Sequence, residues 1–174
     1  LDPILLVTGE SYPVGVLGLV ASKLVEAFYR PAVVMRQEEE LVYASARSIP
    51  EFDIAAALTE CSELFLRFGG HPQAGGFTMR TEKLETLRKR LMAIAARELA
   101  HVDLRPKILI DMVTPLASLV GDTYQFMRLM EPFGPGNPQP TFLSRAVTVK
   151  KVRQLGGQGA HLSLTVKQQG ITWH

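Results

Sequence analysis

Cysteine is nearly absent from this 174-residue chain: Cys61 stands alone. That excludes an intrachain disulfide and argues against a zinc cluster. Set in an apolar helical pattern, it reads as a buried, inert thiol suited to a reducing cytoplasm. Aromatic side chains are also scarce, 7% with a single Trp, so stacking platforms are few. No sign of charge dominates: the formal net charge of +2 excludes a global polycation effect. No hydrophobic run is long enough to span a bilayer, because Val14–Val25 is broken by Gly15, Gly18, Ser22 and Lys23. A basic leader segment is missing too, so no signal peptide is expected. The four histidines (His71, His101, His161 and His174) lack metal-ligand spacing, and no metal site is expected among them. Leu1 begins almost inside a strand pattern and Ile171–His174 stops in another, as expected for a piece of a longer protein.

What is present is enough for a proper core, 47% hydrophobic residues. Charge is distributed unevenly. Residues 1–100 hold 11 Lys and Arg against 13 Asp and Glu, whereas residues 101–174 hold 8 against 4. Arg145, Lys150, Lys151, Arg153 and Lys167 fall in one short β-rich region without an acidic residue. That suits a phosphate-tracking surface and suits a solvated strand face as well.

Hydrophobic periodicity predicts alternating strands and helices through residue 100. Ile4–Val7 reads as a buried strand, and Val16 to Phe28 recur with helical spacing. Residues 31–35 and 41–45 read as strands around a Glu38–Glu40 turn. Asp53 is placed to cap a helix running to about Phe68. Thr81 is placed to cap a long amphipathic helix carrying Leu84, Leu87, Leu91, Ile94, Ala95 and Leu99. This alternation predicts an α/β layered domain with a mixed sheet and flanking helices over residues 1–104. A second unit, 105–174, is predicted to hold a helix over Pro115–Met130, a proline-rich stretch at 131–140, and β runs at 141–153 and 161–167. A helix followed by short strands suggests part of a small OB-like β-barrel.

The run Gly69-Gly70-His71-Pro72-Gln73-Ala74-Gly75-Gly76-Phe77 stands out. Side chains this small let another group approach the backbone, and glycine reaches φ > 0 freely. His71 is then the one sizeable functional group, with donor and acceptor nitrogens for an anion or a base. A tight helix-to-strand turn with a satisfied histidine accounts for the same composition, and composition alone does not choose.

Four blocks together resemble a known family. Gly69-Gly70-His71 followed by Ala74-Gly75-Gly76 is similar to the Gly-Gly-His-x-x-Ala-Ala-Gly signature of the DHH-associated domain of DHH-superfamily phosphoesterases. Gly15 to Leu24, with Phe28-Tyr29-Arg30-Pro31 after it, resembles a helix and turn of RecJ, the family of single-strand-specific 5′→3′ DNA exonucleases. Ser45-Ala46-Arg47-Ser48 resembles that family's Ser-x-Arg-Ser strand end. Glu131-Pro132-Phe133-Gly134-Pro135-Gly136-Asn137-Pro138 resembles the segment leading into its OB-fold domain, and this block is what separates RecJ from other DHH phosphoesterases. Two departures stand out: Gly75 where alanine is usual, and Tyr12-Pro13 where many members have Trp-His. No Asp-His-His motif occurs in the chain.

The resemblance implies the substrate-binding portion of a bacterial, cytoplasmic DNA-repair and recombination exonuclease. Its Mn²⁺ or Mg²⁺ would be bound by a DHH domain not contained here. It implies Arg47 as a bidentate phosphate clamp, with Ser45, Ser48, Gly69, Gly70, Gly75 and Gly76 as further phosphate-binding positions and His71 orienting substrate. Pairing of Arg47 with Glu38, Glu39 or Glu40 is the non-functional alternative. Arg145, Lys150, Lys151, Arg153, His161 and Lys167 would track single-stranded DNA, with Phe142 and Trp173 as stacking or core residues. Single-stranded DNA is the expected partner, with a single-strand-binding protein or a repair helicase beside it. The alternatives are a DHH phosphoesterase for oligonucleotides or cyclic dinucleotides, and a non-catalytic DNA-binding relative.

Overall fold

A computed structural model describes residues 2–119, 121–134 and 136–173. The chain divides into two compact units that meet between Pro106 and Lys107. Leu1, Val120, Pro135 and His174 lie outside the described residues, so the expected strand start at Leu1 and the prolines of the 131–140 stretch are covered only in part.

The first unit is built on a five-stranded mixed sheet. Its strands are β1 (Leu5–Gly9), β2 (Ala32–Gln37), β3 (Leu41–Arg47), β4 (Phe65–His71) and β5 (Ala74–Arg80), in the order β1-β2-β3-β5-β4. β1 and β2 are parallel and the other pairs are antiparallel. The run Ala32-Val33-Val34-Met35 of β2 is fully buried, as a central strand covered on both faces requires. Helix α1 (Leu17–Phe28) connects β1 to β2 and ends at Tyr29, whose φ of 48° lets its N–H reach the Val25 carbonyl. Helix α2 (Ile54–Thr59) is capped as the sequence predicts, with Asp53 Oδ1 accepting from the Ala56 N–H at 2.9 Å. Helix α3 (Leu84–Glu98) buries Leu84, Leu87, Leu91, Ile94 and Ala95, one stripe at helical spacing.

Alternation along the strands sends residues to two unequal layers. Val33, Met35, Ala46, Phe77 and Met79 belong to the large core that includes α2 and α3. Val34 on the opposite face packs only with Leu17 and Ala21 of α1 and their partly buried neighbours. At about 1.5–3 kcal/mol per fully buried large aliphatic side chain, the α2/α3 layer supplies most of the stability. The α1 layer covers only part of its face.

Three local expectations change. The helix predicted to reach Phe68 stops at Thr59, and residues 65–71 are strand β4. The glycine-rich segment is therefore a β-hairpin, β4 turning into β5 at Pro72-Gln73, not a helix-to-strand loop. None of its glycines has a left-handed φ, so small size and not backbone freedom explains them. Thr81 does not cap α3; its hydroxyl donates to the Glu38 carbonyl at 3.1 Å and ties the helix approach to the β2–β3 turn. Cys61 is fully buried, and burial pushes its thiol pKa up.

In the second unit, β6 (Met112–Val113) pairs in parallel with β7 (Phe142–Leu143). The antiparallel sheet β10-β9-β8 comprises β8 (Thr148–Leu155), β9 (His161–Gln168) and β10 (Ile171–Trp173). The single helix predicted over Pro115–Met130 is instead a 3-10 turn at Leu116–Leu119 and a short helix, α4 (Asp122–Arg128). Asn137 organises the proline-rich stretch. Its backbone exchanges two hydrogen bonds with Gly134, and its side-chain amide donates to the Met130 and Pro132 carbonyls at 2.7 and 3.1 Å. Prolines supply no N–H to hold such a loop, so the asparagine amide does.

Candidate nucleic-acid interface

The half of the α1-side face made by β3, β5 and β4 carries three cross-strand rows. Arg47, Ala74 and His71 form the first; Ser45, Gly76 and Gly69 the second; Tyr43, Thr78 and Arg67 the third. Residues directly opposite share a face, and steps of two along a strand keep to it. The middle row is thus a floor with almost no side chains. Above it opens a cleft of about 340 Å³, walled by Leu17 at the start of α1 and by Val14 in the 3-10 turn before it.

The four glycines of the hairpin divide by face. A Cβ on Gly69 would meet nothing within 4 Å, and one on Gly76 would meet only the Ala44 carbonyl, at 3.1 Å. These two keep the floor low. A Cβ on Gly70 would fall 2.5 Å from the Ala74 carbonyl oxygen, and one on Gly75 would fall 2.8 Å from Leu58 Cδ1 of α2. That second pair lies on the opposite face and serves packing, Gly70 against the backbone of the facing strand and Gly75 against α2.

Arg47 closes one end of the floor. Its Nη1 donates to Ser45 Oγ at 3.2 Å and to the Ala46 carbonyl at 2.8 Å. The guanidinium lies against Gly18 in the first turn of α1, where a Cβ would be only 2.7 Å from Nη2. Glu38 pairs with Arg36 instead, at 3.1 Å, and among the described residues Arg47 has no ion pair. Cations are disfavoured beside the positive end of a helix dipole, and that first turn carries no acidic residue and no side-chain cap. An anion placed there would be held by both. Ser45 accepts from Arg47, which leaves its own hydroxyl proton available to the cleft.

His71 ends β4 at the same edge, exposed and without a polar partner among the described residues. The hairpin tip that carries it is fastened from below: Ser48 N–H donates to Gln73 O, Ile54 N–H to Pro72 O, and Gln73 Nε2 to Ile49 O. Ser48 belongs to this support. It is buried, and its hydroxyl donates to the Phe52 carbonyl at 2.6 Å. The sequence reading missed Arg67, Tyr43 and Thr78, which line the other end of the cleft. The apolar pattern predicts Arg67 within a helix; in β4 its register opposite Thr78 puts it on the floor side.

In the second unit, Lys151, Arg153, His161 and Lys167 share one face of the sheet, opposite Thr165, Ser163, Leu155 and Thr148 respectively. Lys150 sits at the register shift between Val149 and Lys151, and Arg145 is exposed just before β8. The other face is mostly apolar, with Val149, Val152, Leu162 and Leu164 all exposed and Gln154 beside them. Trp173 pairs with Val166 on that apolar face, away from the basic one, and Phe142 lies in β7.

Residues 2–97 match the family model of the DHHA1 domain, more than half of the chain, and residues 110–174 match that of the RecJ OB domain. The chain belongs to the RecJ family. It is 38% identical over 157 residues to the single-stranded-DNA-specific exonuclease RecJ of Bacillus subtilis, covering 89% of this chain and 20% of that protein. Against the same enzyme of Thermus thermophilus it is 35% identical over 170 residues, covering 94% and 23%. The crystal structure of Thermus thermophilus RecJ in complex with Mn²⁺ superposes with a TM-score of 0.79 at 30% identity, covering 98% of this chain and 25% of that one. The chain therefore spans about a fifth to a quarter of the length of its RecJ relatives. Among its described residues no group of three or more His, Cys, Asp or Glu side chains could hold a metal ion. Among the same residues no helix is long and apolar enough to cross a membrane.

Proposed function

We propose that this chain is the substrate-holding portion of a RecJ-type 5′→3′ single-stranded-DNA exonuclease of DNA repair and recombination. Residues 1–104 hold the strand end and 105–174 track the strand beyond it. The observation that carries the reading is Arg47: a half-buried guanidinium without a carboxylate partner among the described residues, set beside the start of α1, which has no side-chain cap, next to a serine hydroxyl and a glycine floor. A phosphate satisfies all three at once, through charge-assisted bonds to a planar fork and the favourable end of a helix dipole. His71, on the fastened hairpin, orients the nucleotide. Lys151, Arg153, His161 and Lys167 offer phosphate contacts on one sheet face, with Lys150 and Arg145 at its margin. The names of the RecJ relatives support single-stranded DNA as the substrate, and the crystal structure of Thermus RecJ with Mn²⁺ supports a divalent ion, Mn²⁺ or Mg²⁺, held by residues outside this chain. A single-strand-binding protein or a repair helicase would meet the enzyme on that DNA, in the bacterial cytoplasm.

The test is an anisotropy titration of the chain with labelled, 5′-phosphorylated oligo-dT. Arg47→Ala is expected to weaken binding about tenfold or more, with an unchanged thermal melt. Equal affinity in the variant would remove Arg47, and the reading with it. The chain incubated with Mn²⁺ and single-stranded DNA is expected to give no cleavage; robust nuclease activity would overturn the division of labour.

A further inference from the structure

Arg67 has no role in anything described so far, yet it lines the cleft, and the strand register puts it across the Ser45-Gly76-Gly69 row from Arg47. It is exposed on β4, and among the described residues it has no ion pair; its one side-chain bond runs from Nε to Thr78 Oγ1 at 3.3 Å. That bond uses the inner nitrogen and leaves both terminal amino groups open. Thr78 is itself buried in the sheet and so fixes where the guanidinium starts. A solvated strand arginine needs no such anchor.

The spacing gives the second guanidinium its meaning. Tyr43 and Arg47 are four residues apart on β3, and β4 sets His71 four residues from Arg67. At about 3.3 Å per residue the end rows lie about 13 Å apart, and with β5 between β3 and β4 the two arginines also start about 10 Å apart across the sheet, a gap that Arg67 narrows by reaching over to Thr78 of β5. Arg47 leans inward along β3 to Ser45, which shortens the distance along the strands. Between the two arginines lies the floor of Ser45, Gly76 and Gly69, where a Cβ at position 69 would touch nothing. One phosphate at each end with a sugar between them fills such a trough; a mononucleotide reaches only one end.

We propose that Arg67 is a second phosphate-binding residue of the cleft, and that the cleft takes a dinucleotide unit: the phosphate at Arg47, a nucleoside over the glycine floor, and the next phosphate at Arg67. This rests on the phosphate reading of Arg47. The site is then selective for chain over monomer, because the second charge-assisted contact exists only when a second phosphate follows.

The experiment is competition against labelled, 5′-phosphorylated oligo-dT bound to the chain, using pdT and pdTpdT as competitors. In the wild type pdTpdT is expected to compete about tenfold better than pdT. Arg67→Gln is expected to abolish that advantage and leave pdT unchanged, whereas Arg47→Gln weakens both. An Arg67→Gln chain that keeps the dinucleotide advantage, or that loses pdT equally, overturns the proposal. If Arg47→Gln leaves both competitors unaffected, the underlying phosphate reading fails instead, and the two failures are told apart.

Discussion

At the scale of single residues, chemistry in the first unit depends on side chains that are missing as much as on those present. Gly69 and Gly76 look like the same residue as Gly70 and Gly75 in a sequence, but they face opposite ways and answer to different constraints. Gly69→Val tests this directly. Its Cβ meets nothing, and a β-branched residue suits a strand, so the melt should shift by no more than the equivalent of about 0.5 kcal/mol. The floor would be filled, however, and oligo-dT binding by anisotropy should fall by an order of magnitude or more. Arg47 and Ser45 were legible because they stand in a recognisable Ser-Ala-Arg-Ser run. Arg67 was not, because the apolar pattern from Ile54 continues past it, and only strand pairing reveals the face on which it lies.

At the scale of elements, the β4–β5 hairpin decides the site. Its tip is bonded to the segment between β3 and α2, so His71, Arg47 and the floor move as one piece with the sheet. Gly70, on the face away from the floor, permits the two strands to approach. Gly70→Ala would push a methyl to 2.5 Å from the Ala74 carbonyl, a backbone atom that cannot step aside. The expected loss is about 1–3 kcal/mol, read as a lowered melting temperature of the chain. The hairpin hid behind its own composition. Double glycines weaken strand propensity and suggest a loop, whereas here cross-strand hydrogen bonds and packing on Leu58 override propensity. Helices with ordinary signals were read with less difficulty: Asp53 caps α2, and the α3 stripe is buried as its spacing predicts.

At the scale of the whole molecule, a net charge of +2 conceals a local one. The sheet of the second unit gathers Lys151, Arg153, His161 and Lys167 on one face and leaves the other mostly apolar. Each phosphate contact on a single strand contributes about 0.7 to the slope of log affinity against log salt. Replacing Lys151, Arg153 and Lys167 by Gln should therefore lower that slope by about 2, measured on an oligo-dT long enough to reach the second unit. An unchanged slope would remove this face from the DNA path. By itself the sequence determined the alternating α/β first unit, the mixed second unit, the lone buried thiol and the family, because periodicity, capping and four ordered motifs are local signals. Tertiary structure alone decided that the glycine run is a hairpin with two unlike faces, that Ser48 is support while Arg67 borders the cleft, and that Trp173 turns away from the basic face. Those outcomes depend on strand register, where a shift of one residue exchanges the two faces, and register is fixed by partners far away in the chain.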